Sequence, residues 1–118
     1  MIPFTRLHKT PPMGWSSWNT FSDQINENKV IEIADAIKNL QLDQYGYIYL
    51  TVDDLWNLPD RDPETKNFLV NLNRFPNGMK YIGDYLHSKG LKFGLYSDAG
   101  KNLKPIKFYG RKVFFRYF

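Results

Sequence analysis

Hydrophobic positions change period along the chain, and each change marks an element. From about Asn26 to Leu40, Val30, Ile33, Ala34, Ile37 and Leu40 recur at helical steps, with Glu32, Asp35 and Lys38 on the other side. That spacing predicts an amphipathic helix. Asn26 is placed to cap it, and Glu27 puts a carboxylate against the positive end of the helix. A second helical pattern follows Asn77-Gly78, with Met79, Ile82, Tyr85 and Leu86 on one face and Gly90 as its stop. His87 falls in its last turn, where an imidazole suits the negative helix end, and it carries no catalytic role.

Between the helices the period is different. Tyr47-Ile48-Tyr49-Leu50-Thr51-Val52 is β-branched and aromatic, apolar on both faces, and it ends abruptly in Asp53-Asp54-Leu55-Trp56. A strand apolar on both faces belongs in a buried parallel sheet flanked by helices. Gly46 supplies the tight turn into it. In Leu91–Asp98, Leu91, Phe93 and Leu95 alternate with Lys92, Gly94 and Tyr96, and the run closes in Ser97-Asp98-Ala99-Gly100. Near the start, Pro11 and Pro12 stop any helix, and Gly14 to Trp18 can be extended. The order is strand, helix, strand, helix, strand, which predicts parallel β/α units with right-handed crossovers. Each unit takes about forty residues, a size found in barrels with elaborated loops. The polar, proline-bearing stretch Asn57 to Pro76 reads as a long loop, and loops of that length usually have a function or lack order.

Candidate chemistry collects at one end of this sheet. Asp53 and Asp54 end a parallel strand, where α/β folds place their active sites. Aspartates also begin turns, and position alone leaves both readings open. Trp15 and Trp18, with Ser16 and Ser17 between them, suit either a core with partnered indoles or a platform for the apolar face of a sugar.

Composition narrows the classes. A chain of 118 residues suits one small domain, and 42% hydrophobic with 17% aromatic residues argues against disorder. No apolar run is long enough to span a bilayer, and Met1 to Arg6 shows no apolar signal core. With no cysteine, disulfides and thiolate metal sites are excluded, which leans the compartment intracellular without fixing it. The formal charge of +4 divides into +6 on Lys101–Phe118, which holds no acid, and −2 on everything before it. Basicity therefore belongs to the tail, and no nucleic-acid partner is expected of the domain. The tail's interleaved aromatics and cations are the one feature that would suit nucleic acid or an anionic membrane.

Four segments taken together resemble glycoside hydrolase family 27, the α-galactosidases and α-N-acetylgalactosaminidases. They are Thr10-Pro-Pro-Met-Gly-Trp-Ser-Ser-Trp-Asn19, Val52-Asp-Asp-Leu-Trp56, Arg74-Phe-Pro-Asn-Gly-Met79 and His87-Ser-Lys-Gly-Leu-Lys-Phe-Gly-Leu-Tyr-Ser-Asp-Ala-Gly100, in family order and at family spacing. The resemblance covers residues from about 10 to 100. It implies an α/β fold: the first β/α units, about three strands and two helices, of a (β/α)8 TIM barrel that in the family precedes a β-sandwich domain. It implies retaining hydrolysis of terminal α-linked galactose, with two carboxylates roughly 5–5.5 Å apart serving as nucleophile and acid/base. By the same resemblance Trp15 lines the sugar pocket, Asp53 and Asp54 accept from galactose hydroxyls, and Tyr96 contacts the same region. Ionised carboxylates are acceptor-only and match a ring of hydroxyl donors. The implied partners are α-galactoside sugars. No metal or organic cofactor is required.

Departures from the family pattern carry equal weight. The Tyr-Leu-Lys-Tyr-Asp segment that bears the family's nucleophile does not occur, and the later acid/base aspartate is absent too. The residues that face the sugar's 2-position also lie on later strands, so galactose and N-acetylgalactosamine are not told apart. Leu55 stands where many relatives have a disulfide cysteine. After Gly100 the composition changes sharply, as a frameshift, a premature stop, a mispredicted exon or an appended element would produce. The expectation is residues 1–100 as the barrel segment and 101–118 as a divergent basic tail that does not join the barrel.

Overall fold

A computed structural model describes residues 10–98 and, as backbone, the strand Val113–Tyr117. Expectations for residues 1–9, 99–112 and 118 lie outside the described residues. Strand β1 is Gly14–Ser16, and a short helix α1, Trp18–Phe21, follows it. Helix α2, Glu27–Asn39, leads through a 3-10 turn at Leu42–Tyr45 into β2, Tyr49–Val52. Strands β3, Asn57–Arg61, and β4, Phe68–Val70, come next, then helix α3, Gly78–Ser88, and β5, Lys92–Asp98. The last described element is β6, Val113–Tyr117.

The main sheet has the order β1-β2-β5-β6. Strands β1, β2 and β5 are parallel, as the alternation of patterns predicts. Strand β2 is buried along its whole length, which is why it reads as apolar on both faces. Register lines up Trp15, Leu50 and Phe93 in one row and Ser16, Thr51 and Gly94 in the next. Alternation sends these rows to opposite faces. The row with Leu50 and Phe93 packs beneath the helices, in a core with Val30, Ala34 and Ile37 of α2 and Ile82 and Leu86 of α3. The Ser16–Thr51 row lies on the face away from the helices.

Helix α2 begins as expected. Asn26 accepts from the Lys29 amide at 3.0 Å, capping the first turn. Glu27 is buried, and its carboxylate takes the Asn77 amide at 3.1 Å and the Asn77 side-chain nitrogen at 2.6 Å. The Arg74 carbonyl accepts from the Glu27 amide at 2.9 Å. The start of α3 is thereby sewn to the start of α2 around the fully buried Phe75. Further along, Tyr85 donates to Asp35 at 2.7 Å and the Lys89 ammonium lies 2.7 Å from the same carboxylate oxygen. The bonds from Lys89 and then Tyr85 hold the Asp35 carboxyl below its ordinary value of 3.8. Asp35 in turn raises the Tyr85 hydroxyl and the Lys89 ammonium above theirs.

Two expectations need correction. Asn57 to Pro76 is not an unstructured loop, because β3 and β4 pair antiparallel within it. Pro59 and the polar residues around it mask the strand pattern, and the hairpin is held by packing of Phe68 on Trp56, ring centroids 5.7 Å apart. Of the tail, Val113–Tyr117 joins the sheet. Strand β6 pairs antiparallel with β5 over Gly94–Asp98. Pairing of that kind satisfies the backbone groups of a strand edge and needs no local hydrophobic period.

Two predictions follow from this packing. A methyl group at Gly14 would lie 1.8 Å from the Tyr49 carbonyl oxygen and 2.8 Å from its Cα, so Gly14→Ala must push β1 off β2. Urea denaturation should show a loss of about 2 kcal/mol or more; an unchanged midpoint would contradict the close approach. Asp35→Asn removes a depressed carboxylate, whose contribution is present above its unfolded value and lost as pH falls through its folded one. It also removes the support for raised Lys89 and Tyr85, which is lost at high pH. The difference in melting temperature between wild type and Asp35→Asn should therefore be flat near neutrality and shrink below about pH 4. It will be small, since Asp35 is 40% exposed.

Candidate functional site

Because β1, β2 and β5 are parallel, their C-terminal ends form one edge, and Asp53 and Asp54 emerge there directly after β2. The Asp53 carboxylate is held at both oxygens. Ser16 Oγ donates to Oδ2 at 3.1 Å, and the Asp54 amide donates to Oδ1 at 2.8 Å. The Asp53 amide donates to Ser17 Oγ at 2.8 Å. Asp54 Oδ1 accepts from the Leu55 amide at 2.8 Å. Both aspartates are half-buried, and each uses its side chain to brace the turn that follows. The turn reading and the site reading are therefore compatible at Asp53, since two donors leave acceptor capacity on a carboxylate.

Leu55 takes φ +70°, a left-handed conformation that costs a residue with a Cβ about 1 kcal/mol or more. Its neighbours hold it there. Trp56 is buried in the core, and its indole N–H donates to the Tyr96 carbonyl at 2.8 Å. That bond ties the Asp53–Asp54 turn to β5 and sets half-buried Tyr96 beside it. Asn57 Oδ1 and Ser97 Oγ are buried without a partner, on the residues next to that Trp56–Tyr96 bond.

Asp53, Asp54 and Tyr96 are thus brought to one edge of the sheet. Trp15 is not. It lies in the row of Leu50 and Phe93, half-buried, and meets Phe21 edge-on at 5.9 Å between centroids. Its placement favours the core alternative over the sugar platform. Ser16 and Ser17, which bond to Asp53, and Trp56, which bonds to the Tyr96 carbonyl, surround the same turn, and the sequence pattern does not single them out for it. The available signal was the two hydroxyls at the end of the strand that neighbours the Asp53 strand. Among the described residues no group of three or more His, Cys, Asp or Glu could hold a metal ion, and no helix is long and apolar enough to cross a membrane.

Parallel β/α units with paired carboxylates at the C-terminal strand edge are the arrangement of a barrel-type α/β fold. The family model described as Alpha galactosidase A matches residues 10–111, and the chain belongs to that family, glycoside hydrolase family 27. An α-galactosidase of Cyamopsis tetragonoloba is 53% identical over 94 residues, which are 80% of this chain and 23% of that protein. The crystal structure of α-galactosidase I from Mortierella vinacea superposes with a TM-score of 0.69 at 36% identity, covering 73% of this chain and 21% of that one. A Saccharomyces cerevisiae α-galactosidase solved with raffinose superposes equally well, TM-score 0.69 at 38% identity, over 73% of this chain and 19% of that one. The chain therefore spans less than a quarter of the length of these relatives, and among the described residues the parallel strands form no closed barrel. The family match runs past Gly100, where the composition changes.

Proposed function

We propose that this chain carries the sugar-hydroxyl-binding edge of an α-galactosidase, the retaining hydrolysis of terminal α-linked galactose being the activity of the whole enzyme. The observation that carries the reading is the Asp53-Asp54 pair, ordered at the C-terminal edge of parallel β1, β2 and β5 in a chain of this family. Sugars present hydroxyl donors, and a carboxylate with acceptor sites to spare is their natural counterpart. Each such bond to a charged acceptor in a desolvated site contributes about 1.5–3 kcal/mol. Tyr96 bounds the same edge, where the Trp56 indole bonds to its carbonyl. Trp15 supports from beneath, through the row it shares with Leu50 and Phe93.

The chemistry of bond cleavage is a separate requirement. A double displacement needs a nucleophile and an acid/base flanking the anomeric carbon. Asp53 and Asp54 do not meet it, because both carboxylates are engaged by the same turn and neighbour each other in sequence. The 118-residue chain is accordingly a galactoside binder without turnover.

Titration of the chain with methyl α-D-galactopyranoside in a calorimeter or by NMR should give saturable binding with Kd on the order of a millimolar. Asp54→Asn should weaken it by about tenfold, because a charged acceptor is replaced by a neutral one. The chain should leave p-nitrophenyl α-galactoside uncleaved. Hydrolysis by the purified chain that disappears in Asp53→Ala would overturn this division between binding and cleavage, and failure to bind any α-galactoside would overturn the sugar reading itself.

A further inference from the structure

Ser16 and Ser17 are successive residues at the end of β1, so a regular strand would send their side chains to opposite faces. Both nevertheless reach Asp53. The chain turns at Ser17, whose φ of −72° and ψ of −23° are helical and which stands as N-cap of α1. A serine there normally accepts from an amide of its own helix. Ser17 makes no such bond. Its hydroxyl accepts instead from the Asp53 amide at 2.8 Å, across 36 positions of sequence.

The remaining groups of Ser17 are also committed. Its amide donates to the Thr51 carbonyl at 3.1 Å, carrying the β1–β2 ladder one step past the strand, and its carbonyl accepts from the Phe21 amide at 2.9 Å. Ser17 is fully buried. Its hydroxyl is therefore an acceptor fixed in space, and it sets where the Asp53 backbone leaves the sheet. Ser16 is exposed at the same edge and addresses the other end of the residue, donating to Asp53 Oδ2 at 3.1 Å. With the Asp54 amide on Oδ1 at 2.8 Å, the plane of the carboxylate is defined from two directions. A carboxylate has about four lone-pair sites, so one remains on each oxygen after these two donors.

We propose that Ser16 and Ser17 are positioning residues for the sugar site: Ser17 holds the Asp53 backbone, and Ser16 sets the rotation of its carboxylate so that one acceptor site on each oxygen faces the ligand. This inference rests on the reading of Asp53 as an acceptor for galactoside hydroxyls. Freezing a free carboxylate on binding costs affinity, and a site that holds it beforehand avoids that cost.

The test uses the whole 118-residue chain and methyl α-D-galactopyranoside as probe. Ser16→Ala should bind about fivefold more weakly, the cost of immobilising one side chain. Its far-ultraviolet spectrum and urea midpoint should not change, because Ser16 is exposed. Ser16→Thr keeps the hydroxyl in a residue that strands favour and should restore the affinity to within about twofold. Asp53→Ala should abolish binding. The role of the hidden partner is read separately: amide exchange at Asp53 should be at least about tenfold faster in Ser17→Ala, as for any amide that loses its acceptor. If Asp53→Ala abolishes binding while Ser16→Ala binds like wild type, the positioning role is overturned and the sugar reading stands. Equal loss in Ser16→Ala and Ser16→Thr also overturns it, since the hydroxyl is then irrelevant. If neither wild type nor Asp53→Ala responds to the sugar, the sugar reading has failed and the positioning role with it.

Discussion

The register between β1 and β2 is the constraint on which the rest depends. Gly14 lies so close to Tyr49 that no side chain fits between them, and the pairing runs on through Trp15–Leu50 and Ser16–Thr51 to the Ser17–Thr51 backbone bond. A slip of one residue would exchange the two faces of β1. Trp15 would leave the row of Leu50 and Phe93, and the hydroxyls at the strand end would lose Asp53. A backbone contact between two strands thus decides whether a carboxylate at the sheet edge is held or free.

The helices make that register worth keeping. Leu50 and Val52 of β2 share one core with Val30, Ala34 and Ile37 of α2 and with Ile82 and Leu86 of α3. Any other register would remove apolar side chains from this core at a cost of about 1.5–3 kcal/mol each. Glu27 and Asn77 fasten the helix starts at one end, and Asp35, Tyr85 and Lys89 fasten them further along. Trp56 connects the core to the site. Its ring packs among the buried residues, while its N–H reaches the Tyr96 carbonyl and ties the aspartate turn to β5.

Local patterns made the parallel frame legible before any coordinates. Helix α2 lies within the predicted Asn26 to Leu40, capped by Asn26 as expected, and β2 lies within the Tyr47 to Val52 run. Gly46 and Gly90, with φ of +94° and +73°, sit where turns were expected. What escaped were features settled by long-range contacts. The β3–β4 hairpin has polar, proline-bearing strands and depends on Phe68 against Trp56 and on Arg61, 3.7 Å from the Phe68 ring. Strand β6 depends on backbone pairing with β5, which no local period announces. At the sheet edge, Asp53 and Asp54 are legible because they interrupt an apolar strand. Ser17 was missed because a serine before a helix reads as that helix's cap, and its hydroxyl goes elsewhere. Resemblance to the family assigns Trp15 to the sugar pocket, and in the sheet it shares a row with Leu50 and packs against the core.

Site and scaffold meet in one proposal: that the C-terminal edge of the parallel strands is a galactoside-binding surface organised around Asp53. Mapping amide shift changes in the isotope-labelled chain as methyl α-D-galactopyranoside is added tests it most directly. The account predicts that the changes concentrate on Ser16, Ser17, Asp53, Asp54 and Tyr96. Changes centred instead on the opposite strand ends, at Met13, Ile48 and Lys92, or on the β3–β4 hairpin would contradict it.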